Sequence, residues 1–373
     1  MRRIRDFQLE RYFGKYEFAV EWLLSPSDCE SMTVAELLAL TDDEGQRLWE
    51  QLTLGYTESP GHPLLRAEIA KLYTTIKAEQ IIVAAPEELI LLAMHSLLEP
   101  HDHVIHIAPA YQSLYAVAEA IGCAVTPWPL TVDGGEWQLD LAQLEAAITQ
   151  RTKLLVINFP HNPTGYLPTA EQLAAIVTLA RAHNLTIFSD EMYRLLELDE
   201  AQRLPPLCDR YERAISLSGM SKTFGLPGLR LGWLATQDLT LPPRWLALKD
   251  YTTICNSAPS EILALIGLRA GKQLAERSLA TIRVNLPLVE ALCAHHAEKI
   301  QWLPPQAGST AFPRWLGNEP LDGLCQRALD DYGLMIVPGR MFDHAGTHFR
   351  IGLGRRNLPQ VLEQFDALLT TST

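Results

Sequence analysis

Lys222 stands between Ser221 and Thr223 in a run of small residues, and Arg230 follows it within the same stretch, 216–233. A lysine held at a strand end, here after the apolar run 214–217, can form a Schiff base with an aldehyde. An arginine offers a planar fork of donors, so Arg230 is suited to grip an anion on the same ligand. Ser-Lys in a Gly-rich loop more often carries a solvated lysine, and the context decides between the two readings. Upstream lie Asn-Pro-Thr-Gly at 162–165 and Asp-Glu-Met-Tyr at 190–193; downstream lies Phe-Arg-Ile-Gly at 349–352. A carboxylate, an amide, a phenol and a second arginine are thus available around one amine.

Short β-branched runs alternate with longer helical patterns through the middle of the chain. Strands are expected at 81–83, 103–107, 153–157, 185–188, 214–217 and 231–234, with helices at 88–98, 113–121, 169–183 and 261–270. Such alternation implies an α/β fold with a mainly parallel sheet between helices and ligands held beyond the carboxyl ends of the strands. The segments 158–162, 189–190 and 218–222 each follow a strand candidate, so they converge on one crevice. After about residue 256 the rhythm loosens into a long helical region and short strands near 310–312, 334–337 and 348–351. The first 45 or so residues read as an arm and a helix, with Thr33 as N-cap and Glu36 completing a capping box.

Composition narrows the function classes. The chain has 373 residues, enough for two domains, and a formal net charge of −13 without a dense Lys/Arg block, which argues against nucleic acid. Six scattered cysteines without a C-x-x-C pair favour reduced thiols and a cytoplasmic setting. No apolar run approaches a membrane span and no apolar segment follows the basic N-terminus. His295-His296 and His101-Asp-His103 lack the spacing of a metal site, and no metal is expected.

In order and spacing, these four motifs make the sequence resemble the fold type I pyridoxal-phosphate (PLP) enzymes, specifically the class I/II aminotransferases related to aspartate aminotransferase. Tyr56 with Gly61 and Arg66, and Pro109-Ala-Tyr111, also match, so the resemblance spans nearly the whole chain. It implies a fold type I PLP-transferase: a large PLP-binding domain at 46–255 and a smaller α/β domain built from 1–45 and 256–373. It further implies Lys222 as the lysine that carries PLP and moves the substrate's Cα proton. Asp190 becomes the partner of the pyridine nitrogen, Asn162 and Tyr193 the donors to the ring hydroxyl, and Tyr111 the stacking ring. Arg230, Ser218 and Ser221 are assigned to the phosphate, and Arg350, with Asn162, to the substrate carboxylate. Tyr56 is the position that reaches the partner subunit's cofactor, so a homodimer with shared active sites is implied.

The chain departs from the family at two places. Its first large-domain strand is followed by Ala84-Ala85-Pro86-Glu87-Glu88 where the family has a small Gly-containing phosphate turn. Ala85, Pro86 and Glu87 are the aligned phosphate positions, although Pro86 lacks a donor and a Glu87 carboxylate repels an anion. The N-terminal arm carries Asp28, Cys29 and Glu30 where relatives pass a glycine-containing loop, so Asp28 and Glu30 are candidates to read a basic side chain. Asn256 is expected near cofactor or substrate. The activity expected is transfer of an α-amino group between an amino acid and a 2-oxo acid. A PLP-dependent lyase, cyclase or oxidase is the first alternative, and a non-catalytic PLP-binding regulatory protein the second.

Overall fold

The computed structural model describes residues 3–371. Its centre is a sheet of seven strands: β1 (Ile81–Ala84), β2 (His103–Ala108), β3 (Ala124–Pro129), β4 (Thr152–Asn158), β5 (Thr186–Asp190), β6 (Ala214–Gly219) and β7 (Gly232–Thr236). They lie in the order β1-β7-β6-β5-β4-β2-β3. Only β7 runs antiparallel to its neighbours, pairing Gly232 with Ala84 on one side and with Gly219 on the other. All six expected strands are present. The seventh, β3, carries Pro127 and Pro129, which read as strand breakers; it pairs only with β2 at the sheet edge, where a missing N–H breaks no ladder.

The strands read as largely apolar runs because helices cover both faces of the sheet. Alternation sends Val104, Val156 and Phe188 into the core on one face and Ile105, Leu155 and Ile187 into the core on the other, all within 1 % of full burial. Each such side chain contributes about 1.5–3 kcal/mol. The helix Ser113–Ile121 forms with its expected bounds, and Thr169 caps Ala170–Ala182 through a capping box with Gln172. The expected box between Thr33 and Glu36 is also formed.

Helix Ala258–Arg269 packs with Pro63–Ala70 and Asp43–Glu50 on Ile81, Val83 and Trp233. Segments on both sides of the central strands, Asp43–Glu50 and Ala258–Arg269, thus pack together on this end of the sheet. The C-terminal third places Thr310–Ala311, Phe349–Gly352 and Val337–Pro338 in an antiparallel sheet with Phe349–Gly352 in the middle. The N-terminal arm is tied to it: Trp22–Leu23 pairs with Leu334–Met335, the Gly352 amide donates to the Leu24 carbonyl (2.8 Å) and the Glu30 amide to the Gly354 carbonyl (2.8 Å).

That contact explains Gly352. A Cβ there would overlap the Pro26 carbonyl, and backbone is the obstacle. Gly352→Ala should therefore cost roughly 1–3 kcal/mol, read as a lower midpoint of urea unfolding. An unchanged midpoint would show that the arm yields without loss.

Candidate active site

Asn158 ends β4, Asp190 ends β5, and Gly219 ends β6 three residues before Lys222. Parallel registry of β4 with β5 and of β5 with β6 brings these ends to the same edge. They open into a cleft of about 640 Å³ that also receives Tyr111, Tyr193, Asn162 and Arg350. Asn158 fixes the floor: its Nδ2 donates to the Asp190 carbonyl (3.0 Å) and its Oδ1 accepts from the Asn162 amide (2.8 Å).

The Asp190 carboxyl is buried and accepts a bond from the Met192 amide at 3.1 Å. Burial pushes its pKa up to about 7, and Glu87 adds to the rise while Lys222 opposes it. A carboxyl placed so waits for a buried cationic partner. The Lys222 ammonium donates to Ser27 Oγ at 2.8 Å and lies 6.0 Å from the centre of the Tyr193 ring. Its loop is set by Gly225, whose φ of 64° and close approach to the Glu30 carbonyl exclude a side chain.

Arg350 is 1 % exposed. Its Nε donates to the Ser25 carbonyl (3.0 Å) and Nη1 to Asn162 Oδ1 (3.2 Å), and its guanidinium sits between the rings of Phe13 (5.7 Å) and Phe342 (5.2 Å). Nη2 is buried without a partner among the described residues. A buried guanidinium with an open N–H is costly, and an incoming anion relieves that cost. At the other end Ser221, Arg230 and Pro86 line the cleft, with Arg230 in the left-handed region at φ 51° and its Nη1 on the Pro227 carbonyl (3.1 Å).

Several expected residues do not meet there. Ser218 lies one position from cleft-lining Leu217, and strand alternation puts it on the side of Ser216, whose hydroxyl donates to Glu191. Ala85 precedes the helix Pro86–Leu97 as its N-cap and does not line the cleft, whereas Pro86 and Glu87 do. Asn256 donates to Glu261 Oε1 at 2.7 Å, outside the cleft. Glu30 accepts from the Arg356 amide (2.9 Å), also outside. Asp28 does reach the cleft, but Arg355 grips both its oxygens at 3.1 and 3.0 Å, so its charge is already answered. Tyr56 is 95 % exposed and contributes nothing to its own chain's cleft. His295 and His296 lie outside the cleft, with His296 bonded to Asp366 at 2.7 Å.

Sequence reasoning missed the helix Gln8–Tyr16, which roofs the cleft with Glu10 and Phe13 from its body and with Phe7 and Glu17 just beyond its ends. The apolar spacing of Leu9, Tyr12, Phe13 and Tyr16 was the available signal. Glu10 accepts from the Tyr111 hydroxyl at 2.6 Å, so the roof is bonded to a floor residue.

A model of aminotransferase class I and II matches residues 27–365. The chain belongs to that family. It is 32% identical over 352 residues to capreomycidine synthase of Streptomyces vinaceus, covering 94% of this chain and 88% of that protein. A PLP-dependent aminotransferase from Streptococcus suis 89-1591 superposes with a TM-score of 0.92 at 28% identity, covering 100% of this chain and 99% of the other. A PLP-dependent cyclase, OrfR, superposes at 0.90 and 26% identity over 100% of this chain and 99% of its own. The chain is thus an enzyme of the PLP-dependent transaminase family with the fold type I architecture, and the aminotransferase motifs occupy the cleft just described.

In this aminotransferase the Asp190 carboxyl links protonation to stability. Its pKa in the folded chain is raised above the ordinary 3.8, so the stability it contributes is present at low pH and is lost as pH rises through about 7. The Glu87 carboxyl, also pushed up to about 7, chiefly by burial, acts in the same sense. Without cofactor, the urea midpoint should therefore fall between pH 5 and pH 8, and Asp190→Asn should flatten that fall. An equal slope in the variant would show that Asp190 is not the linked group.

Proposed function

We propose that this chain binds PLP through Lys222 and transfers the α-amino group of an amino acid to a 2-oxo acid. The observation that carries the reading is the buried Arg350, with Nη2 open, in the same cleft as Lys222 and Asp190. When bound, PLP supplies an electron sink for the charge left at the substrate's α-carbon. Asp190, buried and in no ion pair among the described residues, suits the cofactor's pyridine nitrogen and would hold its proton there. Asn162 and Tyr193 would donate to the ring hydroxyl oxygen, and Tyr111 would cover the ring face. Ser221 and Arg230 would hold the phosphate, together with the backbone N–H groups that open helix Pro86–Leu97. Lys222, released once the substrate amine has taken its place, would move the proton off the substrate Cα. Arg350 would fix the α-carboxylate and so orient that carbon.

The reading extends to assembly and setting. Tyr56, Leu54, Tyr251 and Ile254 are all more than half exposed, and Ser59 and Thr57 bond the two segments that bear them through the Ile254 and Asn256 carbonyls (2.6 and 3.3 Å). An apolar patch of this kind supports a homodimer in which Tyr56 reaches the partner's cofactor. The six cysteines are unpaired, in keeping with a reducing cytoplasm, and no helix among the described residues is long and apolar enough to cross a membrane.

A cyclase is the second reading, favoured by capreomycidine synthase and the PLP-dependent cyclase among the similar proteins. Formation of a new 2-oxo acid only when an acceptor is present supports transfer; a product with the donor's nitrogen count, formed without acceptor, supports cyclisation.

Borohydride reduction of the PLP-loaded protein should leave the label on Lys222, located by peptide mapping; a label elsewhere, or none, overturns the assignment. Arg350→Ala should lower kcat/KM for every amino acid donor by roughly 2–5 kcal/mol, with Arg350→Lys recovering part, because a lysine brings the charge without the fork. Donor-selective losses would refute a general carboxylate clamp.

A further inference from the structure

Charge accounting inside the cleft leaves a remainder. Asp28 is taken by Arg355, and Arg350 keeps an N–H open for an anion. Arg230 faces the cleft mouth at the end lined by Pro86 and Ser221. Glu10, Glu17 and Glu87 also line the cleft, and among the described residues none of them forms an ion pair. Glu17 and Glu87 have their acidity weakened chiefly by burial; Glu10 adds repulsion to both, and the more distant charges of Arg355 at Glu17 and Arg230 at Glu87 offset only part of the rise. Three neighbouring carboxylates of one sign are unfavourable unless a cation joins them.

The Tyr111 hydroxyl lies between two of them. It donates to Glu10 at 2.6 Å and also sits against the Glu87 carboxyl. The same pocket carries flat apolar faces: Phe7 lies 4.8 Å from Tyr111, centre to centre, and Phe13 lines the cleft beside Arg350. The buried Arg350, with its unpartnered Nη2, marks an independent anion position in the same cavity. An amino acid anchored there by its carboxylate would turn its side chain toward the remaining walls.

We propose that Glu10, Glu17 and Glu87 form the side-chain pocket of the substrate, and that the side chain it takes is a guanidinium. This rests on the reading of Arg350 as the carboxylate clamp of a PLP enzyme. A guanidinium is planar, presents five donors and stacks on aromatic faces, so one group can serve several carboxylates while lying on Phe7 or Phe13. An ammonium is a compact, strongly hydrated charge that gains little from those faces. The selectivity thus comes from the N-terminal helix and from the position that replaces the family's small phosphate turn, and it does not come from Glu30 or from the neutralised Asp28.

The test uses the PLP-loaded protein and its cofactor absorbance, titrated with arginine, with its uncharged isostere citrulline, and with lysine. Arginine should bind at least about tenfold more tightly than citrulline, as loss of charge-assisted hydrogen bonds predicts. Glu10→Gln should shrink that ratio severalfold, and Glu17→Gln provides the same readout should the first variant fold poorly. Citrulline binding as tightly as arginine, or an unchanged ratio in both variants, overturns the pocket; lysine matching arginine overturns the guanidinium. If neutral amino acids bind and react without any preference for arginine, only this inference falls. If no amino acid perturbs the absorbance and borohydride leaves Lys222 unlabelled, the PLP reading falls and takes the pocket with it.

Discussion

A single buried guanidinium organises this molecule. Arg350 lies in the middle strand of the small antiparallel sheet, yet its Nε is satisfied by Ser25 of the N-terminal arm and its Nη1 by Asn162, four residues beyond β4. Three distant segments must therefore be in place before that charge is tolerable inside the protein. The arm is held by the same strand: Ser25 Oγ accepts from the Val337 amide at 2.9 Å and donates to the Arg350 carbonyl. Two residues further on, Ser27 receives the Lys222 ammonium through its hydroxyl and bonds from Tyr193 and Ser309 at its carbonyl. The residue that holds the arginine and the residue that receives the lysine are thus neighbours on one short strap.

The sheet does the rest of the positioning. Its parallel strands deliver Asn158, Asp190 and the Lys222 loop to one edge, and helices on both faces exclude water from the strands behind. Asp190 consequently sits where hydration cannot stabilise its charge, and the protein stores an electrostatic demand there. Arg350 stores the opposite demand across the cleft. A ligand carrying both a cationic ring nitrogen and an anionic substrate group satisfies both at once, which is how a fold of this kind converts burial into selectivity for a particular chemistry.

Much of this was legible in the sequence, for definite reasons. Lys222, Asp190, Asn162, Tyr193 and Arg350 announce themselves because chemistry restricts their types and because the first four follow apolar runs that read as strands, while Arg350 is the one charge inside such a run, 348–351. The central strands are legible because burial on both faces makes them mostly apolar, as in Val104-Ile105 and Leu154-Leu155-Val156-Ile157. β3 was hidden by its prolines, which an edge strand tolerates. Ser218 misled because adjacency in a strand means opposite faces, a distinction that proximity in a motif conceals. Asp28 and Glu30 misled because their partners, Arg355 and the Arg356 amide, lie more than 300 residues away in the chain. The helix Gln8–Tyr16 showed an apolar spacing, but nothing local reveals that its other side roofs a cleft assembled from residues 86 to 350.

That roof has a consequence for substrate range. Helix Gln8–Tyr16 is attached by side-chain and end contacts, with the Gln8 amide on Gln112 Oε1 at 3.0 Å, the Tyr111 hydroxyl on Glu10 at 2.6 Å and the Tyr12 hydroxyl on the Ile336 carbonyl at 2.9 Å, and it is not part of the central sheet. Asn158, Asp190 and the Lys222 loop stand at the edge of the sheet, while two of the three carboxylates of the proposed side-chain pocket, Glu10 and Glu17, stand on or beside this helix. Substitutions confined to this helix would therefore reshape what the cleft admits while leaving the groups at the sheet edge where they are, so breadth of substrate and competence for the reaction are separable in this architecture.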